Sequence, residues 1–224
     1  MPSSTVENYL KAIWALQGRD DEQLVPIGQV AERLEVTPGT ATTMMNHLAR
    51  KGLVDYVSRR GVRLNDEGRL AAMDVLRRHR LVETFLVEVM KIDWAEVHED
   101  AEVLEHVISD RLLQRMDEML QHPTHDPHGA PIPGPNGELG CDGSLSLADC
   151  GPGSYLLRRV REDDPSFLQW LAEHDLRPGV RFVVQERNAA VGTLAIRVDG
   201  GGESLQLSVP SARFLLVTAE QGTD

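Results

Sequence analysis

Two short amphipathic helices followed by two short strands, all within residues 27–64, constrain the fold of this chain more than any other feature. The first helix has apolar residues at helical spacing, namely Ile27, Val30, Ala31 and Leu34. Thr37 then offers an N-cap hydroxyl and Pro38 suits the first position of a second helix. Gly52 is expected to end that helix after about residue 50.

The two strands are predicted at residues 53–57 and 61–64, and a further helix is predicted before the pair, over residues 4–16. A helix-turn-helix followed by a β-hairpin is a winged helix, whose second helix typically enters the DNA major groove. The sequence therefore predicts a DNA-reading domain at this end of the chain.

The outer side of the second helix and the wing carry groups that suit DNA. Threonine hydroxyls and methyl groups contact phosphates, base edges and thymine methyls, and arginines pair with phosphates. The candidate residues are Thr37, Pro38, Gly39, Thr40, Thr42, Thr43 and Asn46 on the helix, and Arg59, Arg60 and Arg63 on the wing. The alternative is a solvated surface or one that binds protein.

The net charge of −12 is unusual for a DNA-binding protein, so its distribution matters. Residues 1–64 carry eight basic and seven acidic side chains, whereas residues 65–120 carry seven basic and fourteen acidic ones. The acidic charge is thus concentrated outside the predicted DNA reader. This balance argues against nonspecific coating of DNA and is compatible with site-specific binding.

Six side chains able to bind a metal follow the wing. Two helices are predicted there, over residues 66–90 and 94–120. The six are His79 and Glu83 on the first helix, and His98, Glu102, Glu105 and His106 on the second. Because an α-helix advances about 100° per residue, the second set is expected to fall within roughly 100° of arc. Imidazole nitrogens and carboxylate oxygens on one face suit a divalent first-row metal.

Residues 122–153 are rich in proline and glycine and predict a linker or surface loop, which includes His122, His125 and His128. Short β-rich runs follow and predict a small β-barrel of about five strands, interrupted by a helix near residues 165–173.

The two cysteines, Cys141 and Cys150, are too few for a disulfide framework and fit a reducing cytoplasm. No secretory or membrane-spanning segment and no enzymatic motif is recognised.

This order of elements resembles the diphtheria toxin repressor family of metal-dependent regulators. The residues that carry the resemblance are Glu7-Asn8-Tyr9-Leu10, His79-Arg80-Leu81 with Glu83, residues 94–98, Glu102, Glu105-His106-Val107 and residues 123–133. The resemblance covers nearly the whole chain. It implies a mainly α fold with β structure: a winged-helix DNA-binding domain (1–64), a helical metal-binding and dimerisation domain (65–121), a Pro/Gly-rich linker (122–153) and an SH3-like β-barrel (154–224).

The resemblance also implies two metal sites. The primary, activating site would use Glu102, Glu105 and His106 with Asn8 of the first helix. The ancillary site would use the set His79, Glu83 and His98, with Asp163 or Asp164 as an acidic ligand from the β domain.

Two residues depart from the family patterns. Iron-responsive members carry Cys at the position of Glu102, and manganese-responsive members carry Glu there. Asn8 replaces a Met or an Asp, and Lys11 occupies the place of a manganese-type Glu. A ligand set of oxygen and nitrogen without sulfur favours Mn(II) first and Fe(II) second.

The function that the resemblance implies is repression of metal-uptake genes by a homodimer that binds a pseudo-palindromic operator in double-stranded DNA when it holds metal. One alternative is a winged-helix repressor that works without metal. Another, from a different class, is a dinuclear metal hydrolase, because carboxylates and histidines also activate water.

Overall fold

The computed structural model of the chain describes residues 3–18, 22–140, 143–161, 164–202 and 204–220. These residues divide into two compact units. The first combines the chain up to His79 with Glu102–Gln114 and Pro133–Leu139, and the second combines Arg80–Ala101, Arg115–Ile132 and the chain from Gly140. The four-domain division expected from the sequence stays a prediction.

The first unit begins with the predicted winged helix, which the structure confirms. Its elements are α1 (Ser4–Gln17), α2 (Ile27–Arg33), α3 (Pro38–Arg50), β1 (Val54–Val57) and β2 (Gly61–Leu64). The strands pair antiparallel, and Val25 adds a bridge to Val62. One core holds these elements together, formed mainly by Val6, Tyr9, Leu10, Ile13, Val30, Ala31, Ala41, Met45, Leu48, Val54, Val62 and Leu64.

Two local features explain where these elements begin. The Thr37 hydroxyl accepts a hydrogen bond from the Thr40 amide at 3.2 Å, so it is the N-cap that the sequence predicted for α3. Gly61 opens β2 with a φ of +145°, and a Cβ there would lie 2.5 Å from the backbone oxygen of Val25. Only glycine lets this strand approach Val25 so closely.

The helices after the wing are α4 (Asp66–Glu88), α5 (Val97–Leu104) and α6 (Asp110–Met119). The prediction of one continuous helix over residues 94–120 was therefore wrong. The chain leaves the helical path at residues 105–109, where Ser109 accepts a hydrogen bond from the Leu113 amide and starts α6. Arg78 donates to the Ile108 carbonyl at 3.0 Å, which satisfies a group that a continuous helix would have bonded internally.

The second unit contains a β domain. Its elements are β3 (Leu145–Ser146), β4 (Gly153–Val160), α7 (Pro165–Glu173), β5 (Arg181–Asn188), β6 (Thr193–Val198), β7 (Leu205–Ser208), α8 (Val209–Ala212) and β8 (Leu215–Ala219). The antiparallel sheet has six strands in the order β3-β8-β4-β5-β6-β7, against about five predicted. Among the described residues β3 and β7 do not pair, so the sheet is not closed into the predicted barrel.

The proline-rich segment is more ordered than a surface loop. His125 and Pro131 form an antiparallel bridge, and Asp126 and His128 between them are buried. The expectation that His128 lies on the surface was wrong, because two prolines rule out a helix without placing the segment in solvent. Within the described ranges, no helix is long and apolar enough to cross a membrane.

Candidate metal centre and DNA-reading surface

The turn after α5 brings three predicted metal ligands together within the first unit. Glu102 is the third-last residue of α5, and Glu105 and His106 lie in the turn that follows. The Glu105 side chain has no exposed surface, and its Oε2 is 2.5 Å from Nδ1 of His79 on α4. Within this unit His79 thus lies beside Glu105 of the predicted primary set, and its predicted ancillary role is not tested by this contact. One ligand atom each from His79, Glu102 and Glu105 lies within 4.8 Å of the others.

Helix α1 faces the same turn. Nδ1 of His106 lies 2.6 Å from Oε2 of Glu7, a buried residue that the sequence reasoning did not include among the ligands. Its position beside Asn8 was the available signal. Oδ1 of Asn8 and Nε2 of His106 are both buried, and neither has a hydrogen-bond partner among the described residues. Nε2 of His106 is 3.5 Å from Oε1 of Glu105.

These groups fit a hard or borderline divalent cation. Buried polar atoms in folded proteins nearly always have partners, so an orphaned imidazole nitrogen beside a buried carboxylate, together with an orphaned amide oxygen on α1, points to a ligand. The donors are carboxylate, carbonyl and imidazole groups, with no sulfur. That set suits Mn(II) or Fe(II) better than softer ions.

Glu83 and His98, predicted for the ancillary site, lie together in the second unit. Oε1 of Glu83 is 3.2 Å from Nδ1 of His98, and its Oε2 is 3.9 Å from Nδ1 of His128. The other ring nitrogen of His128, Nε2, is 2.9 Å from the carbonyl oxygen of Trp94, and the two rings stack at 5.2 Å. His128 was missed because its sequence neighbours place it in a loop. The ligand role of His79, Glu83 and His98 as an ancillary set stays a prediction.

A buried ion pair supports this region. Nε of Arg80 lies 3.4 Å from Oδ2 of Asp126, and both side chains are nearly inaccessible. Burial lowers the pKa of Arg80 to about 10, with Arg159 acting in the same direction and Asp126 opposing it. Burial, followed by the Glu83 charge, raises the pKa of Asp126, which Arg80 and His128 oppose. Both groups thus carry a desolvation cost that their mutual attraction partly offsets.

The acidic ligand expected from the β domain is not brought to these groups. Asp164 is exposed, and its Oδ1 accepts a hydrogen bond from the Phe167 amide at 2.8 Å as the N-cap of α7. No cluster of potential ligand atoms among the described residues includes it. Asp163 and Cys141 lie outside the described residues.

The predicted DNA-contacting residues of α3 form an accessible surface. Thr37, Pro38, Gly39, Thr40, Thr43 and Asn46 are exposed, and Thr42 is half-buried. The hydroxyls of Thr42 and Thr43 donate to backbone oxygens one turn earlier at 2.8 and 2.9 Å, which leaves their oxygens able to accept. Arg50, one turn after Asn46 and also exposed, extends this surface and was not predicted.

The three wing arginines differ in their surroundings. Arg59 and Arg60 are exposed at the hairpin turn. Arg63 lies across from Asp55 in the β1–β2 pair and bonds to it at 3.1 Å, and it also bonds to Glu22. Hydrogen bonds to Asp55 and then Glu22 raise the pKa of Arg63. A phosphate would compete with these two carboxylates for Arg63, and the side-chain hydrogen bonds and ion pairs of the described residues include none to Arg59 or Arg60.

Exposed apolar side chains follow Glu102 directly. Val103 is 67% exposed, Val107 72% and Leu112 56%, and Leu104 is also exposed. A series of large aliphatic side chains on the surface costs free energy in water and typically marks an interface between chains.

A winged helix joined to a buried cluster of oxygen and nitrogen donors defines a metal-responsive DNA-binding regulator. Three family models match the chain: the iron-dependent repressor N-terminal DNA-binding domain over residues 1–62, the iron-dependent repressor metal-binding and dimerisation domain over residues 65–134, and the FeoA domain over residues 145–219. The chain belongs to the diphtheria toxin repressor family of iron-dependent repressors, and it is a metal-dependent DNA-binding transcriptional repressor.

Similar proteins span nearly the same length. The iron-dependent repressor IdeR of Mycobacterium leprae is 32% identical over 88% of this chain and 89% of its own. The diphtheria toxin repressor of Corynebacterium diphtheriae is 36% identical over 84% and 87%. A solved manganese-dependent transcriptional repressor in complex with manganese is 37% identical, covers 96% of this chain and 100% of its own, and superposes with a TM-score of 0.88.

Proposed function

We propose that this chain represses metal-uptake genes with Mn(II) as its corepressor, Fe(II) being the second choice. The observation that carries the proposal is the buried Nε2 of His106, which has no hydrogen-bond partner among the described residues and lies 3.5 Å from the buried Glu105 carboxylate; the buried Oδ1 of Asn8 on α1 also has none. Glu102 completes the primary set, and Glu7 and His79 bond to its members. The manganese complex of a similar repressor agrees with this choice of metal.

The ligand set joins two elements of one compact unit. Asn8 and Glu7 belong to α1, and Glu105 and His106 belong to the turn after α5. When bound, a divalent ion would supply the positive charge that lets these anionic and polar groups share one small space. This charge would add to that of the Lys11 ammonium in offsetting the carboxylate repulsion that opposes contact between α1 and the turn.

Helix α1 transmits this restraint to the DNA reader. Another side of α1 places Leu10 and Ile13 in the core that also contains Met45 and Leu48 of α3. Restraining α1 therefore restrains α3, because closely packed cores transmit small displacements. In a dimer the two copies of α3 would be set for successive major grooves of a pseudo-palindromic operator, about 34 Å apart.

Metal can act only by binding the DNA-competent arrangement more tightly than the other arrangements. Each tenfold shift of the equilibrium between them requires a difference in binding free energy of about 1.4 kcal/mol.

We place this function in the cytoplasm, where a repressor meets its operator. Repressors of this family act by binding DNA, and we propose no catalytic activity for this chain, in contrast to the dinuclear hydrolase considered from the sequence.

The experiment that tests the proposal is fluorescence anisotropy of labelled operator DNA with the intact protein, titrated with Mn(II), Fe(II), Zn(II) and Co(II). We expect Mn(II) to strengthen binding about 5- to 150-fold, the usual range for coupled sites. A chelator in excess should reverse the effect. Operator binding that is unchanged by chelator would support the metal-independent repressor, which Lys11 favours because its ammonium already bridges Glu102 and Glu105.

The exposed aliphatic residues after Glu102 are proposed to form the homodimer interface. Val107→Asp places a charge on this surface and is expected to shift the protein from dimer to monomer in analytical ultracentrifugation at micromolar concentration, because burying an unpaired carboxylate is costly. Val191→Asp is the matched control, since Val191 is 69% exposed in the turn between β5 and β6. If both variants stay dimeric, the interface lies elsewhere.

A further inference from the structure

Lys11 of α1 places its ammonium among the carboxylates proposed as metal ligands. Its Nζ donates to Oε1 of Glu102 at 2.5 Å and to the two oxygens of Glu105 at 2.8 and 2.9 Å. An ammonium has three N–H donors, and these contacts use all of them. A single lysine thus bonds to both acidic residues of the turn.

Burial distinguishes this contact from an ordinary surface ion pair. Exposed pairs contribute little, because water screens them and both side chains lose freedom. Here the Lys11 side chain is 19% exposed and the Glu105 side chain 0%. A carboxylate with no exposed surface is costly without a partner of opposite charge, and Lys11 places its ammonium against both oxygens of Glu105.

The formal charges match one divalent ion and not two. Glu7, Glu102 and Glu105 contribute three formal negative charges and Lys11 one positive charge, so these four side chains sum to −2. One divalent cation balances that charge. With a neutral residue at position 11 the summed side-chain charge would be −3. With an acidic residue it would be −4, and two divalent cations would balance that charge.

We infer that the Lys11 ammonium is a built-in positive charge of the primary metal site. Its positive charge limits the site to one divalent ion, and in the metal-free protein its hydrogen bonds hold α1 against the turn after α5. This inference rests on the proposed function, because it takes Glu102, Glu105 and His106 as ligands of an ion.

Native mass spectrometry of the intact protein tests the ion count. Lys11→Glu is expected to retain one more Mn(II) per chain than the wild type, whatever the occupancy of other sites. Lys11→Met should keep the wild-type count but bind Mn(II) about tenfold more tightly or better in calorimetry, since the ion no longer faces an ammonium. Lys11→Arg, which keeps the charge, and Lys51→Met, at an exposed position, are the controls.

Thermal unfolding in chelator tests the restraint without metal. Lys11→Met is expected to unfold at least about 2–4 °C below the wild type, whereas Lys51→Met should not differ. Equal ion counts in wild type and Lys11→Glu, together with equal Mn(II) affinity in Lys11→Met, would overturn the inference and leave the proposed function standing. If the wild type binds Mn(II) no better than a His106→Ala variant, the proposed function fails and the inference fails with it.

Discussion

His106→Ala is expected to abolish the response of operator binding to Mn(II), so that the dissociation constant with metal equals the value in chelator. The imidazole links Glu7 of α1 through Nδ1 and leaves Nε2 as a buried donor atom for the ion. Alanine removes the contact with Glu7 and the Nε2 donor atom at the same time. With the coupling typical of such proteins, the loss is about 5- to 150-fold in operator affinity at saturating metal.

His122→Ala serves as the control for this variant, because the His122 side chain is 72% exposed and pairs only with Asp117 among the contacts seen here. It should respond to Mn(II) as the wild type does. The dimer content and the unfolding temperature of both variants in chelator separate lost metal binding from lost folding. A His106→Ala protein that still responds fully to Mn(II) would remove this residue from the proposed ligand set.

Asp126→Ala is expected to cost about 3–5 kcal/mol of unfolding free energy in urea, the usual range when one partner of a buried ion pair is removed. Arg80 would keep its bond to the Pro131 carbonyl but lose its carboxylate partner. The amides of His128 and Ala130, which both donate to Oδ1 of Asp126 at 2.9 Å, would also lose their acceptor. Unpaired buried donors add to the cost.

Asp126→Asn separates the contribution of the ion pair with Arg80 from that of the hydrogen bonds donated by the His128 and Ala130 amides. An amide oxygen still accepts from both backbone amides while the charge is removed, so this variant should lose less stability than Asp126→Ala. Asp199→Ala, at an exposed position after β6, should change stability by no more than about 0.5 kcal/mol. If Asp126→Ala behaves like Asp199→Ala, the buried pair does not stabilise the proline-rich segment.

Local signals were sufficient for the winged helix. The Thr37 cap, Pro38 and the alternation of the wing strands each act within a few residues, and the structure places these elements within one or two residues of the predicted bounds. The same holds for α7, whose start is fixed by Asp164 and Pro165. Capping and turn preferences are properties of short segments, which is why periodicity and composition reveal them.

Features that depend on distant residues were not predictable. The break at residues 105–109 depends on Arg78, which is remote in sequence and bonds to the Ile108 carbonyl. Helical periodicity therefore joined α5 and α6 into one helix. Burial of His128 depends on Trp94, and the pairing of Glu7 with His106 joins residues 99 positions apart. Contacts of this kind leave no trace in a pattern with a period of three or four residues.

The end of α5 places two different surfaces within six residues. Glu102, Glu105 and His106 are proposed for the ion, whereas Val103, Leu104 and Val107 are exposed and aliphatic. If the arrangement of this short stretch that binds the ion is also the one that pairs with a second copy, ion uptake and self-association strengthen each other reciprocally. In that case the metal concentration to which the repressor responds would fall as its own concentration rises.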